Sequence, residues 1–191
     1  MHPPTPNTGA PAPYPGKAAL DLLAVSAACV TLGPLLAGIA IATWAEDGGP
    51  PFFFQSRIGR GRRPFTVIKF RTMSQQRVTR VGQVLRRTGL DELPQLLNVA
   101  RGEMSMVGPR PLTAQDVERL GWSDPSFDWR FNARPGITGL SQLLAGRGVR
   151  SSRRLDRLYL KRQSLELDVR LITFSLAANL LGKRRIGRWL L

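Results

Sequence analysis

Residues 86–112, RRTGLDELPQLLNVARGEMSMVGPRPL, decide how this chain is read. Two adjacent carboxylates, Asp91 and Glu92, stand just ahead of Pro94 and the apolar run Leu93, Leu96, Leu97 and Val99. Proline is tolerated in the first turn of a helix, where its missing N–H costs little. The pattern predicts a helix N-terminus here, with Thr88 and Asp91 as candidate caps. Partial positive charge at that end, with Arg86 and Arg87 upstream, is expected to hold both acids ionised. The stretch closes on Gly108-Pro109-Arg110-Pro111, whose prolines restrict the backbone and fix the direction of Arg110. Taken alone, an ordinary capped helix with surface charges explains all of this.

The whole chain narrows the choice. Its 191 residues suffice for one modest domain, and 42% apolar content argues against wholesale disorder. A single cysteine, Cys29, excludes an internal disulfide, and its apolar surroundings predict a buried thiol. The net charge of +15 implies an anionic partner: nucleic acid, a phosphorylated small molecule or an acidic membrane face. No helix-turn-helix, zinc-ligand spacing or RNP-like aromatic motif supports the first of these.

Residues 1–16 read as a disordered Pro-rich tail. Residues 22–45 carry no charge and are long enough to enter or cross a bilayer. Gly33 and Pro34 predict a kink or break in the middle of that segment. Two outcomes stay open: a kinked helix that crosses fully, and a helix–break–helix that enters and leaves on one face. The arginine-rich remainder places the main domain in the cytoplasm.

Beyond the turn cluster 47–51, residues 52–73 read as a β-hairpin. Alternation puts Phe65, Val67, Lys69 and Arg71 on one face, so that Lys69 and Arg71 project together. Arg57, Arg60, Arg62 and Arg63, in and beside the turn, are assigned to lipid headgroups. A short helix is expected over 77–87, with Val81, Val84 and Leu85 on one side. A polar helix is expected over 112–120. Trp122, Phe127, Trp129 and Phe131 then either anchor at the bilayer interface or pack on the core. Residues 134–142 form a tight Gly/Pro loop, 153–165 a basic helix, and 169–191 an amphipathic helix lying in the membrane interface.

The strings TGLDELPQLLN (88–98), GEMSMVGPRP (102–111), KFRTM (69–73) and RPGITGLSQ (134–142) resemble the signature of the bacterial sugar transferases. More narrowly they resemble the monotopic polyprenyl-phosphate phosphoglycosyl transferases, over roughly residues 20–168. The resemblance implies an α+β fold: a mostly helical membrane-associated domain with a short β-hairpin, a re-entrant helix over 17–46, a catalytic domain over 47–170 and an interfacial helix over 171–191. Gly33 stands where the family usually has serine before the proline, and Asp21 matches an acidic position.

The implied reaction moves a sugar-1-phosphate from a UDP-sugar to polyprenyl phosphate and releases UMP. Asp91 would be the nucleophile, and Glu92 would serve Mg²⁺ binding or proton handling. Both acids are candidate metal ligands. Lys69, Arg71, Arg86, Arg110 and Arg147 would contact phosphate, although Gly148 departs from the asparagine the family commonly carries after that arginine. Asp156, Tyr159 and Asp168 match positions given a structural role. The partners implied are the UDP-sugar donor, the polyprenyl phosphate acceptor and an anionic lipid bilayer, without nucleic acid and with a homodimer left open. The implied location is the cytoplasmic face of a bacterial inner membrane. A basic membrane scaffold without catalysis stands as the alternative.

Overall fold

Helix α1, Lys17–Asp47, starts after Gly16 and stops at Gly48, both in the left-handed region, with the Gly48 N–H closing on the Trp44 carbonyl. The structure, a computed structural model, describes residues 12–144 and 149–181. Of the kink or break expected at Pro34, the break does not occur, and α1 runs helically through it. One intrahelical bond is lost there, but the Leu- and Ala-rich turns on both sides favour continuation. Of its 31 residues, Asp21, Val25, Ile39 and Thr43 are buried. Leu22, Leu23, Val30, Leu35, Ile41 and Trp44 are exposed. Cys29 lies exposed on this helix as well, not buried as its apolar neighbours suggested.

Both ends of α1 are fastened to the same body. At the start, the Lys17 ammonium donates to Asp168 Oδ2 at 2.5 Å and to the Val107 carbonyl at 3.1 Å. Tyr159 donates to the other Asp168 oxygen at 2.8 Å, and Tyr14 adds a bond of 2.9 Å. One turn on, Asp21 accepts from the Ser105 hydroxyl and the Met106 N–H. At the far end, Glu46 accepts from the Arg80 and Val81 N–H groups. It thereby reinforces the Thr79 cap on α2, Arg80–Thr88, where a negative charge is favoured.

Strands β1, Phe52–Ile58, and β2, Pro64–Phe70, form the expected antiparallel hairpin, with Phe52 opposite Phe70 and Ile58 opposite Pro64. Asn98, fully buried, closes the outer edge of β2 by accepting from Ile68 N–H and donating to the Thr66 carbonyl. In the hairpin turn, Arg62 pairs with Asp128 at 2.6 Å and lies 4.3 Å from the centre of the Phe131 ring. It is a packing residue, not a headgroup contact. The two-residue strands β3, Met73–Ser74, and β4, Arg77–Val78, pair around Gln75 and Gln76, both at positive φ. The helix expected from residue 77 therefore begins at Arg80. Leu85 is buried on it, whereas Val84 is exposed.

Strands β5, Ser105–Val107, and β6, Gly136–Thr138, pair in parallel and join the two Gly/Pro motifs. The Gly108 N–H donates to the Thr138 carbonyl and the Gly136 N–H to the Pro109 carbonyl. A Cβ on Gly136 would fall 2.1 Å from the Gly108 nitrogen, so the approach requires glycine. The parallel crossover carries α4, Ala114–Arg119, with a Thr113–Asp116 capping box, and α5, Asp128–Phe131. Trp122, Trp129 and Phe131 are buried there, which favours core packing over interface anchoring for these rings. Helices α6, Leu140–Leu143, α7, Val149–Arg162, and α8, Leu165–Leu181, complete the described chain. Leu171 and Ala178 of α8 are buried, while Leu165, Val169 and Leu176 are exposed. Arg147, most of the Pro-rich tail and the basic C-terminal end after Leu181 lie outside the described residues.

Candidate active site

The acidic pair sits where α2 gives way to a tighter turn. Gly89, at φ 73, ends α2 and lets the chain enter a 3₁₀ turn, Leu90–Gln95, followed by α3, Leu96–Ala100. Asp91 and Glu92 occupy the first turn as expected, but neither candidate cap is used. Thr88 is the last residue of α2 and donates back to the Val84 carbonyl at 2.9 Å. Pro94 and Gln95 are buried, so the turn is held by packing rather than by a capping side chain.

Lys69 reaches from β2 to Glu92 Oε1 at 2.5 Å. Around them Arg57, Arg110 and Gln142 line a small pocket. From Asp91 and Glu92 a larger groove of about 580 Å³ opens, with Arg86, Arg110, Thr138 and Gln142 among its polar lining. Its other walls are mostly apolar, Ala24, Ala28 and Leu32 from α1 and Ile172 and Leu176 from α8, with Thr31, Ser175 and Asn179 as their polar exceptions. The site thus has a cationic side and a hydrocarbon side, with the carboxylates between.

Burial, then the neighbouring Glu92 charge, push the Asp91 carboxyl above its ordinary range, against the pull of Lys69 and Arg86. The upstream arginines and the helix end were expected to do the reverse. They are outweighed because Asp91 is partly buried and stands beside Glu92. The Arg57 guanidinium is pulled down by burial and by the Arg110 charge beside it. Two cations held this close create a place for an anion.

Rigid partners aim these groups. Arg86 Nε donates to Thr72 Oγ1 at 2.8 Å. The carbonyl of Arg110 accepts from Arg130 at 2.7 Å, and Arg130 is itself buried against Asp156, which also takes the Ser141 hydroxyl. The buried pair Arg130–Asp156 therefore fixes the backbone of the GPRP segment. Arg57 is tied to Gln55 Oε1 and the Pro111 carbonyl.

The structure brings Lys69, Arg86 and Arg110 to the acidic pair and does not bring Arg71. Strand β2 ends at Phe70, so the alternation that put Arg71 beside Lys69 stops one residue too early. The Arg71 guanidinium turns away to Asp47 and donates to the Pro50 carbonyl at 2.6 Å. Arg57 was assigned to headgroups but lines the pocket. The register contains the missed signal: Arg57 lies opposite Phe65, so it shares the face that carries Lys69. Gln142 lay within the quoted RPGITGLSQ string without a role. Among the described residues no cluster of three or more His, Cys, Asp or Glu could hold a metal.

The model of the family described as bacterial sugar transferase matches residues 13–182. This chain belongs to that family. Among relatives of this bacterial sugar transferase, the UDP-glucose:undecaprenyl-phosphate glucose-1-phosphate transferase of Caulobacter vibrioides is 40% identical over 179 residues, covering 86% of this chain and 65% of its own length. The UDP-N-acetylgalactosamine-undecaprenyl-phosphate N-acetylgalactosaminephosphotransferase of Aeromonas hydrophila is 36% identical over 87% of this chain and 44% of its own length. The chain thus spans less than two thirds of either protein. It covers 92% of the exopolysaccharide production protein ExoY of Rhizobium meliloti, at 34% identity over 93% of this chain.

Proposed function

We propose that this bacterial sugar transferase moves a sugar-1-phosphate from a UDP-sugar to polyprenyl phosphate, releasing UMP, in an early membrane step of glycan or exopolysaccharide assembly. The observation that carries the reading is the placement of Asp91 and Glu92 between a cationic cluster and an apolar groove. A donor diphosphate suits Arg57, Lys69, Arg86 and Arg110, and an isoprenoid chain suits the walls from α1 and α8. The activities for which the Caulobacter and Aeromonas relatives are named pair the same two substrate classes.

In the first step an Asp91 carboxylate oxygen attacks the β-phosphorus, the bond from that phosphorus to the UMP oxygen breaks, and UMP leaves. A phosphosugar then sits on Asp91. In the second step a phosphate oxygen of the acceptor attacks the same phosphorus and the bond to Asp91 breaks, restoring the carboxylate. Splitting the transfer in this way is covalent catalysis and predicts ping-pong kinetics. Every reacting group is anionic, so charge neutralisation and alignment dominate the barrier. Lys69 holds Glu92 in place, and the arginines receive the redistributed phosphate charge.

Mg²⁺ fits this donor set, since it binds one or two carboxylates and completes its shell with substrate phosphate oxygens and water. Asp91 and Glu92 would hold it. When bound, it neutralises diphosphate charge.

The same reading places the enzyme on the cytoplasmic face of the inner membrane with α1 as a re-entrant helix. A straight helix of 31 residues is about 46 Å long, more than the hydrocarbon core needs. Lys17 at one end and Glu46 at the other bond to one folded body, which supports re-entry over full crossing. The largely exposed apolar surface between them suits lipid.

The central test is UMP release from a panel of UDP-sugars by detergent-purified protein with Mg²⁺, with and without polyprenyl phosphate. Intact masses of wild type and Asp91→Asn are measured alongside. Acceptor-dependent turnover and a phosphosugar adduct on wild type alone are expected. No turnover with any donor, and identical behaviour of Asp91→Asn, would remove the basis of the reading. For topology, Ala12→Cys in a Cys29→Ser background should be labelled by an impermeant thiol reagent from the cytoplasmic side. Labelling from the opposite side would exclude re-entry.

A further inference from the structure

Resting on that reading, we infer that Asn179 of α8 reads the sugar of the donor, with Ser175 beside it on the same helix face. Helix α8 is otherwise apolar from Leu171 to Leu181, apart from Thr173, which spends its hydroxyl on the Val169 and Arg170 carbonyls. Ser175 and Asn179 stand four residues apart and both line the groove, together with Ile172 and Leu176. Among the described residues neither side chain has a hydrogen-bond partner. A carboxamide without a partner, facing a groove from an apolar helix, gains nothing for the fold by being polar.

Its position assigns it a task. The Asn179 amide lies 3.1 Å from where a Cβ on Gly89 would stand, and Gly89 is two residues before Asp91. Gly89 is the left-handed residue that brings the 3₁₀ turn and its nucleophile to the groove. Absence of a side chain there lets the Asn179 amide come close to the backbone of the acidic turn.

The groove divides by chemistry. Phosphate oxygens are matched by Arg86, Arg110, Lys69 and Arg57, and an isoprenoid chain by Ala24, Ala28 and Leu32. The stretch from Gly89 to Asn179 is neither cationic nor purely apolar. A primary amide offers two donors and an acceptor, and a serine hydroxyl offers both functions. That set complements the vicinal hydroxyls or the N-acetyl group of a hexose better than it complements a phosphate. A sugar esterified to the phosphorus that Asp91 attacks must lie within a few ångströms of this turn. The relatives named for glucose and for N-acetylgalactosamine transfer are 40% and 36% identical to this chain, so one scaffold accommodates different sugars.

The experiment compares wild type, Asn179→Ala and Ser175→Ala as full chains in detergent with Mg²⁺. It measures kcat/KM for UDP-hexoses and UDP-N-acetylhexosamines that differ at single positions, inhibition by UMP, and thermal stability. Asp91→Asn serves as the inactive control. The expected result is a change of about tenfold in the ratio of kcat/KM between the preferred donor and its nearest epimer in Asn179→Ala, the size of one neutral hydrogen bond. A smaller change is expected in Ser175→Ala. UMP lacks the transferred sugar, so its inhibition should stay at the wild-type level. Equal losses for every donor, weakened UMP inhibition in step with them, or unchanged donor ratios would each overturn the inference while leaving the transferase reading intact. Absence of Asp91-dependent turnover in wild type would instead take down that reading, and this inference with it.

Discussion

Two constellations of charge in this molecule are built to opposite ends. Around Lys17, the Asp168 carboxylate receives an ammonium and two phenols, and both phenols are pushed well above their ordinary range by burial and by that carboxylate. Every polar atom there is spent on its neighbours. Around Asp91, a carboxylate is part-buried beside a second acid, with Lys69 bonded to Glu92 and Arg86 to Thr72 rather than to Asp91 itself. The first arrangement joins α1 to α8 and supports the fold. The second holds a carboxylate whose charge is disfavoured by burial and by Glu92, at the edge of a groove. A satisfied cluster reads as structure, and an unsatisfied one beside a groove reads as a site.

Asp91→Asn should break the comparison most sharply. Loss of a nucleophile is expected to lower turnover by at least about 10³-fold, measured as UMP release. Stability should move the other way. The folded pKa of Asp91 lies above its unfolded value, so the native state binds more protons in the window between them. Ionised Asp91 therefore costs stability at neutral pH, and the cost disappears as pH falls through the folded pKa. Asn removes the charge, so the thermal midpoint at neutral pH should match or exceed that of wild type. A clear loss of stability would show that Asp91 supports the fold after all.

Lys17→Met tests the other constellation. It leaves Asp168, whose side chain is fully buried, without its cation, a change that typically costs about 3–5 kcal/mol. For a chain of this size the thermal midpoint should drop by about 10 °C. Adding Asp168→Asn to it should recover part of the loss, because a removed pair costs less than a broken one. If single and double variants unfold together, the clamp contributes no more than its packing.

A smaller effect concerns pH. The rate should fall on acidification with a midpoint above the ordinary aspartate range, since the protonated acid cannot attack. Glu92→Gln removes a charge that raises the Asp91 pKa and should shift the acid limb to lower pH. Lys69→Met removes one that lowers it and should shift the limb to higher pH. Limbs that stay fixed in both variants would assign the titration to another group.

Much of this was legible in the sequence, and the failures have local causes. The hairpin, the acidic turn and the two Gly/Pro motifs were readable because alternation, proline and glycine act within a few residues. What was missed depended on distant partners. Arg62 was taken for a headgroup ligand because nothing local reveals Asp128 or Phe131, both more than sixty positions away. Pro34 was expected to kink or break a helix that runs on through it, its two ends fixed by Asp168 and by the start of α2. Thr88 and Asp91 were expected to cap a helix that instead begins from the left-handed Gly89. The shift of Asp91 was misjudged in direction because charge can be counted from sequence and burial cannot.

The smallest expected effect separates two residues that the sequence treats alike. Lys69 and Arg71 sit two apart in the KFRTM string, yet one bonds Glu92 and the other Asp47. Lys69→Ala should reduce kcat/KM by about 10–10²-fold, because a charge beside the reacting phosphate is lost and Glu92 is released. Arg71→Ala should leave kcat/KM at the wild-type value, since its partners join the end of α1 to the start of the hairpin and screened surface pairs contribute little. Equal losses in the two variants would mean that Arg71 leaves Asp47 for the substrate during turnover. In that case the division between cationic cluster and helix anchor drawn from this structure would have to be redrawn.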